Sequence, residues 1–264
     1  MSRKSIIGAM DTEELELLNM DVDVAHKTNC DFWNTVGSEF LGVTALPHYG
    51  AFVTEENLHL FETVEDKKVL EIGCGNGHSL KYISKKKASE LWGLDISPLQ
   101  IKRTEEFLLS EGISAQLICG PMENECGIPK NYFDIVYSVY AIGWTTDLDK
   151  TFQQIALYLK KDGTFIFSWS HPIHKCVSVE NDKLVFNNSY FDESWYSVCI
   201  ADKKIMLANR KLSTYINSLA KAGFVIEQLI EESDEDIIKE SNRGDFANKA
   251  KMLPVTFVIK ARKI

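Results

Sequence analysis

The chain has 264 residues, of which 45% are hydrophobic and 25% charged, values that exclude a disordered or fibrous protein. Its 38 acidic and 29 basic residues leave a net charge of −9, which argues against broad binding to DNA or RNA, a task that needs a basic footprint. No apolar run nears the ~18 residues of a membrane span, the N-terminus lacks a signal-peptide core, and six cysteines without a CxxC read as reduced thiols.

A cytoplasmic globular protein is therefore expected, with no nucleic-acid or membrane partner. Residues 11–27 are acidic and weakly periodic, a short helix or an adaptable arm. Residues 28–50 carry Trp33, Phe40 and Tyr49, and Pro47 and Gly50 mark loop and turn. Residues 54–61 read as a helix with Thr54 as N-cap and Asn57 at N3. Strand 68–72, helix 78–87, strand 90–95, a helix opened by Ser97-Pro98 and strand 115–119 follow. Strand 132–139 and helix 147–160 come next, then Asp162-Gly163 as a helix end and strand 164–169.

Strands and helices alternating in this way predict an α/β fold: a doubly wound, seven-stranded, Rossmann-like sheet with helices on both faces. Residues 171–210 break the rhythm as a hairpin-like insertion on the substrate side. Helix 211–222, closed by Gly223, and strands 224–230 and 253–261 complete the domain, with a solvated acidic loop and short helix between those strands. The expected division is an N-terminal cap over residues 1–50 and a main domain over 51–264.

The sharpest signal is Val69-Leu70-Glu71-Ile72-Gly73-Cys74-Gly75-Asn76-Gly77, a buried strand running into a glycine turn that opens a helix. Glycine lets a ligand touch the main chain, and the helix N-terminus offers free N–H groups. The dinucleotide fingerprint G-x-G-x-x-G is not met, because the third glycine comes one position early and His78 stands in its place. No G-x-x-x-x-G-K-[ST] occurs either. Asp95 ends the next strand, where a carboxylate can accept ribose hydroxyls; its bland alternative is a helix N-cap.

VLEIGCGNG, LWGLDIS, FDIVYSVYAIGW and LKKDGTFIFS, in that order, resemble the class I S-adenosylmethionine-dependent methyltransferases, and more narrowly the type-11 group acting on small molecules. The resemblance implies that the sheet is mostly parallel, with an antiparallel last strand, and that S-adenosyl-L-methionine is the cofactor. It implies that Glu71 orients the cofactor's amino group and that Gly73, Cys74, Gly75 and Gly77 form the loop beneath its amino-acid part. Asp95 becomes the ribose ligand and Ile96 the apolar contact of adenine. Ser138, Val139 and Tyr140 fall beside the sulfonium. Many relatives carry an aspartate for the adenine amino group where this chain has Pro121, so the Met122 amide and Glu123 are the expected substitutes.

Methyl transfer from a sulfonium is an in-line displacement with a neutral leaving group, so alignment and exclusion of water dominate. A base is needed only if the acceptor must lose a proton. His171, at the fifth-strand exit, and Tyr140 are the candidate catalytic residues; the bland alternative for His171 is a turn histidine bonding backbone. His171, His174 and Cys176 match no familiar zinc spacing, so no metal is expected.

Trp33 and Tyr49 are expected to touch the methionine end of the cofactor from a lid. Tyr140 and Trp144 are expected to line the acceptor pocket, with Tyr190, Trp195 and Tyr196 completing it or forming hairpin core. The expected activity is methyl transfer to a small-molecule acceptor. Its rivals are a cofactor-binding sensor without turnover and a protein or nucleic-acid methyltransferase. The sequence leaves the oligomeric state open.

Overall fold

The computed structural model describes residues 2–7, 10–17, 19–35, 44–181, 183–200, 202–242 and 244–264. Among the described residues, the strands are β1 (Ser2–Ile7), β2 (Met10–Leu17), β3 (His48–Gly50), β4 (Val53–Thr54), β5 (Lys68–Ile72), β6 (Glu90–Asp95), β7 (Gln116–Cys119), β8 (Phe133–Val139), β9 (Leu159–Ser170), β10 (Val177–Glu180), β11 (Lys183–Phe186), β12 (Trp195–Ile200), β13 (Lys203–Ala208), β14 (Phe224–Ile230) and β15 (Thr256–Lys263). The helices are α1 (Val22–Trp33), α2 (Glu55–Leu58), α3 (His78–Ser84), α4 (Pro98–Ser110), α5 (Leu148–Tyr158), α6 (Leu212–Lys221), α7 (Glu235–Glu240) and α8 (Gly244–Ala250). Among the described residues, no helix is long and apolar enough to cross a membrane.

The main sheet has the order β14-β15-β9-β8-β5-β6-β7, and β15 alone runs antiparallel to the rest. Its inner strands are largely buried on both faces, and their alternate side chains divide into two cores. Leu70, Ile72, Val136, Phe165, Phe167, Phe257 and Ile259 face α5 and α6, meeting Phe152, Ile155, Tyr215 and Leu219. Val69, Ile135, Tyr137, Val139, Ile166 and Val258 face the other way, toward Leu80 and Ile83 of α3 and Leu108 of α4. The strand period of two sends neighbours to opposite faces. Each fully buried Leu, Ile or Phe adds about 1.5–3 kcal/mol of transfer free energy. The predicted doubly wound, seven-stranded sheet is the observed one.

Local signals set several boundaries as expected. Ser97 caps α4, its hydroxyl accepting the Gln100 amide at 3.1 Å, with Pro98 at the first turn. Elsewhere the chain departs from the reading. The 54–61 helix shrinks to α2, because His59 turns left-handed and the buried Glu55 carboxylate takes the Leu60 and Phe61 amides, both at 3.0 Å. The fifth helix ends at Tyr158 rather than at Asp162-Gly163, and β9 starts at once at Leu159. The acidic stretch after β14 holds α7, and a second helix, α8, follows. Ile238, Ala247 and Ala250 form a small core with Ala51, Phe52 and Val255.

The largest departure is at the N-terminus. Residues 11–27 are neither one helix nor a loose arm. β1 and β2 form a hairpin whose β2 pairs with β12 of the insertion, giving a second sheet in the order β1-β2-β12-β13. α1 then begins at the Asp21 cap, whose carboxylate accepts the Asp23 and Val24 amides. Its buried face, Ala25, Asn29 and Phe32, follows the helical period. Asn29 pins it to β13: its amide donates to the Met206 carbonyl at 2.8 Å, and its oxygen accepts the Met206 N–H at 2.9 Å. Phe40, one of the N-terminal aromatics, lies outside the described residues.

Candidate active site

The carboxyl ends of β5, β6 and β8 converge on the glycine loop. Gly73, Gly75 and Gly77 all have positive φ, at 75°, 47° and 79°. A Cβ on Gly73 would sit 2.2 Å from the Ala141 Cβ, and one on Gly77 2.8 Å from Thr104 Cγ2. Among the described residues, a Cβ on Gly75 would meet nothing within 4 Å, so the loop is open to them above its middle glycine. The Gly75 amide donates to Asp95 Oδ2 at 2.9 Å, and its carbonyl accepts from the Thr104 hydroxyl. The buried Asn76 side-chain oxygen has no hydrogen-bond partner among the described residues. An open glycine cradle, an unsatisfied amide oxygen and a carboxylate beside it fit a ligand with amino and hydroxyl groups, as S-adenosylmethionine has.

Asp95 accepts the Ser97 amide through Oδ1 at 2.9 Å as well. Burial raises its pKa, while the Ser97, Gly75 and Ile96 amides oppose the rise. The helix cap itself is Ser97, so Asp95 is not spent on that role. Glu71 is buried and accepts the Tyr137 hydroxyl at 3.0 Å. Burial pushes its pKa well above the ordinary carboxylate range, against the pull of the Tyr137 and Ser79 hydroxyls. Cys74 is buried, and its thiol is likewise pushed up by burial.

Tyr140 leaves β8 with φ 53°, and its ring lies where a Cβ on Gly50 would fall, 2.4 Å from Cε2. Ser138 Oγ donates to the Ile72 carbonyl at 2.8 Å, tying β8 to β5, and Val139 is buried behind it. Ile96 and Met122 remain half-buried at the ends of β6 and β7.

Four expected roles meet different geometry. Glu123, the expected adenine acceptor, is buried and takes the Thr146 amide at 2.8 Å, the Thr146 hydroxyl and His26 Nε2 at 3.0 Å, all on Oε1. Burial works against its charge, but those bonds hold its pKa below the ordinary range. It therefore anchors α1. Tyr49 is fully buried and donates to Glu55 at 2.8 Å, so its hydroxyl is spent inside the core. His171 is buried, with Nδ1 accepting the Ile173 amide at 3.1 Å and Nε2 on Glu231 at 2.6 Å. Both ring nitrogens are committed, and Glu231 and Val255 draw the residue toward the β14–β15 side. Burial lowers its pKa despite Glu231. Its geometry is that of a turn histidine. Tyr190 gives its hydroxyl oxygen to the Leu212 amide at 3.2 Å, outside the aromatic group described next.

That group stands beside Tyr140. Trp33, Trp144, Trp169 and Tyr140 are each half-buried. Trp33 and Trp144 meet edge to face at 5.1 Å, Trp144 and Trp169 at 6.3 Å, and Tyr140 lies 5.3 Å from Trp169. Phe32 and the insertion's Tyr196, Val198, Ile205 and Leu207 back them. Trp169 reads from sequence only as a strand residue; it belongs here because a Cβ on Gly143 would fall 1.8 Å from its Cε2, so that glycine lets the indole lie flat on the loop after β8. α1 closes the other side: Asn34 accepts the Ser97 hydroxyl at 2.7 Å, and Gln100 donates to the Trp33 carbonyl at 2.8 Å. Only the tertiary structure reveals the roles of His26, Asn29, Asn34, Gln100 and Thr104.

The chain is similar to several known proteins. The profile of a type-11 methyltransferase domain matches residues 70–167, from inside β5 to inside β9. An uncharacterized protein of Haemophilus influenzae is 28% identical over 224 residues, 78% of this chain and 85% of that protein. A sterol 24-C-methyltransferase of Neurospora crassa is 32% identical over 108 residues, 40% of this chain and 28% of that enzyme. An S-adenosylmethionine dependent methyltransferase from Mesorhizobium loti has the same fold, with TM-score 0.65 and 21% identity over 81% of this chain and 100% of that one. Residues 70–167 thus carry the pattern of a methyltransferase domain, within a fold shared with S-adenosylmethionine-dependent methyltransferases.

Proposed function

We propose that this methyltransferase acts on a small, apolar or partly aromatic acceptor held at the exits of β8 and β9. The observation that carries the reading is the half-buried group of Trp33, Tyr140, Trp144 and Trp169 next to the glycine loop. Large aromatics elsewhere in the sheet core, such as Phe152, Phe165, Phe167 and Phe257, are fully buried. Aromatic faces left partly open beside a cofactor loop suit a flat or apolar ligand. The sterol enzyme among the relatives supports a small-molecule acceptor.

When bound, S-adenosylmethionine supplies an electrophilic methyl group on sulfur. The chain's own residues hold and orient. Gly73 and Gly77 let the turn pack against Ala141 and Thr104, and Gly75 would leave room for the amino-acid part, with Glu71 behind the turn. Asp95 accepts ribose hydroxyls, and Ile96 and Met122 flank adenine. α1, fixed by Asn29 and Asn34, closes the site from water, and the aromatic group aligns the acceptor. Alignment and water exclusion then carry most of the rate. The cap of residues 1–50 and the insertion of 171–210 are the acceptor-side modules of a main domain over 51–264, joined through β2 and β12.

The test is a screen of small apolar and aromatic acceptors against oligonucleotides and peptides, reading S-adenosylhomocysteine formation. Turnover confined to small acceptors is expected. Turnover only on the polymers sinks the acceptor reading, and cofactor binding without any turnover favours a sensor.

A further inference from the structure

Two of the six cysteines meet at the Ile96 carbonyl, on the rim formed by the ends of β6 and β7, and a third lies under the loop that follows β7. Cys30, on α1, donates its thiol to the Ile96 carbonyl at 3.5 Å. Cys119, the last residue of β7, donates to the same carbonyl oxygen at 3.7 Å. Cys126 lies beneath the adjoining loop, its Sγ 2.6 Å from where a Cβ on Gly120 would be. Cys119 is exposed and Cys30 half-buried, so reagents in solution reach the pair. Among the described residues no three-ligand metal group occurs, which leaves the pair as a dithiol.

The two thiols belong to different layers. Cys30 sits on the N-terminal helix, whose other anchors to this rim include His26 on Glu123, Asn34 on Ser97 and the Trp33 carbonyl on Gln100. Cys119 sits on the main sheet, paired with Asp95. A covalent link between them would span Ile96 and join the helix to the sheet.

We propose that Cys30 and Cys119 form an oxidisable dithiol, which a low-molecular-weight disulfide converts to an intramolecular bridge that fastens α1 over the cofactor rim. The functional consequence rests on the reading of Ile96 as part of the cofactor site. One thiolate attacks the reagent disulfide, forms a mixed disulfide and expels one reagent thiolate. The other cysteine's thiolate attacks the mixed disulfide and expels the second. Two reagent thiols leave with the two protons, and the two cysteines are oxidised as the reagent is reduced. Burial and the nearby Asp31 and Asp95 carboxylates raise the Cys30 pKa; burial and Asp95 raise that of Cys119. Exchange is therefore slow near neutrality and quickens in alkali.

The test treats the reduced full-length chain with oxidised glutathione at mildly alkaline pH, then alkylates it and maps its peptides. The expected product is a monomer lighter by two hydrogens with a Cys30–Cys119 peptide pair, absent from Cys30→Ser and Cys119→Ser. The bridged protein is expected to release bound S-adenosylhomocysteine about tenfold more slowly, because the lid must lift for exchange, and dithiothreitol should restore the rate. Two freely alkylated thiols, or bridges only through Cys199 or between chains, overturn the dithiol. A bridge that leaves release unchanged overturns the latch. Failure of the reduced protein to bind S-adenosylhomocysteine instead sinks the cofactor reading, while the peptide map still reports on the bridge.

Discussion

The Asp95 carboxylate accepts the amide of Gly75 at 2.9 Å, so the acidic end of β6 and the glycine turn after β5 form one unit. Its second oxygen holds the Ser97 amide and thereby the start of α4. Asp95→Asn keeps the size of the side chain but removes its charge. Hydrogen bonds to charged groups contribute about 1.5–3 kcal/mol, so S-adenosylhomocysteine binding should weaken by about 10- to 100-fold. Calorimetry on folded protein checks this, and unchanged affinity refutes the ribose role.

The three glycines should not behave alike. Gly73→Ala combines positive φ with a Cβ 2.2 Å from Ala141, and should cost about 2–4 kcal/mol of stability. Gly75→Ala faces open space, so the φ cost of about 1 kcal/mol is the main penalty to folding. Its methyl group would enter the space assigned to the cofactor. Denaturant melts should therefore separate the two variants, while both lose cofactor affinity.

Glu71 gives the fold a pH dependence of definite sign. Unfolded, it ionises near its ordinary pKa; folded, burial keeps it protonated to higher pH. The folded chain thus binds more protons in the window between the two values, and stability falls as pH rises through it. Glu71→Gln cannot ionise and should flatten that fall. Thermal melts of both proteins across the acid-to-neutral range supply the comparison; parallel curves would contradict the assignment.

Gly143 exists for Trp169. Gly143→Ala would drive a methyl into the indole, 1.8 Å from Cε2, and push the ring from its place beside Trp144 and Tyr140. A forced shift of this kind costs about 1–3 kcal/mol. Cofactor affinity should survive and turnover of the acceptor should fall. Equal loss of both would mean that the aromatic group does not serve the acceptor alone.

His171→Asn retains an acceptor for the Ile173 amide. A general base contributes about 10²–10⁴ in rate, whereas a turn residue contributes almost nothing to the chemical step. The variant should turn over within about threefold of the parent, with a lower melting temperature from the lost Glu231 contact. A drop of orders of magnitude in kcat would restore His171 as the base.

Much of this protein was legible in sequence. Residues 68–72 and 90–95, the Ser97-Pro98 helix start and the glycine turn are specified by apolar runs, caps and turn residues within a few positions of each other. Sheet face and helix stripe follow from periods of 2.0 and 3.6, so the two cores were readable too. Spacing put Asp95 beside the loop, because parallel strands end on the same edge.

What a polar side chain pairs with is a different matter. Glu123 and Thr146 meet His26 from across the chain, Tyr49 finds Glu55, and His171 finds Glu231. No periodicity encodes such partners. β2 is acidic and lacks a strand's alternation, yet it becomes a strand because the edge of β12 offers it backbone partners. The aromatic group likewise draws on α1, the loop after β8 and β9, with the insertion behind it. The sequence alone determined the seven-stranded sheet and the glycine turn, since local propensity and hydrophobic period specify both. The tertiary structure alone decided which polar and aromatic side chains remain available to a ligand, since buried polar groups must take whatever partners long-range packing brings them.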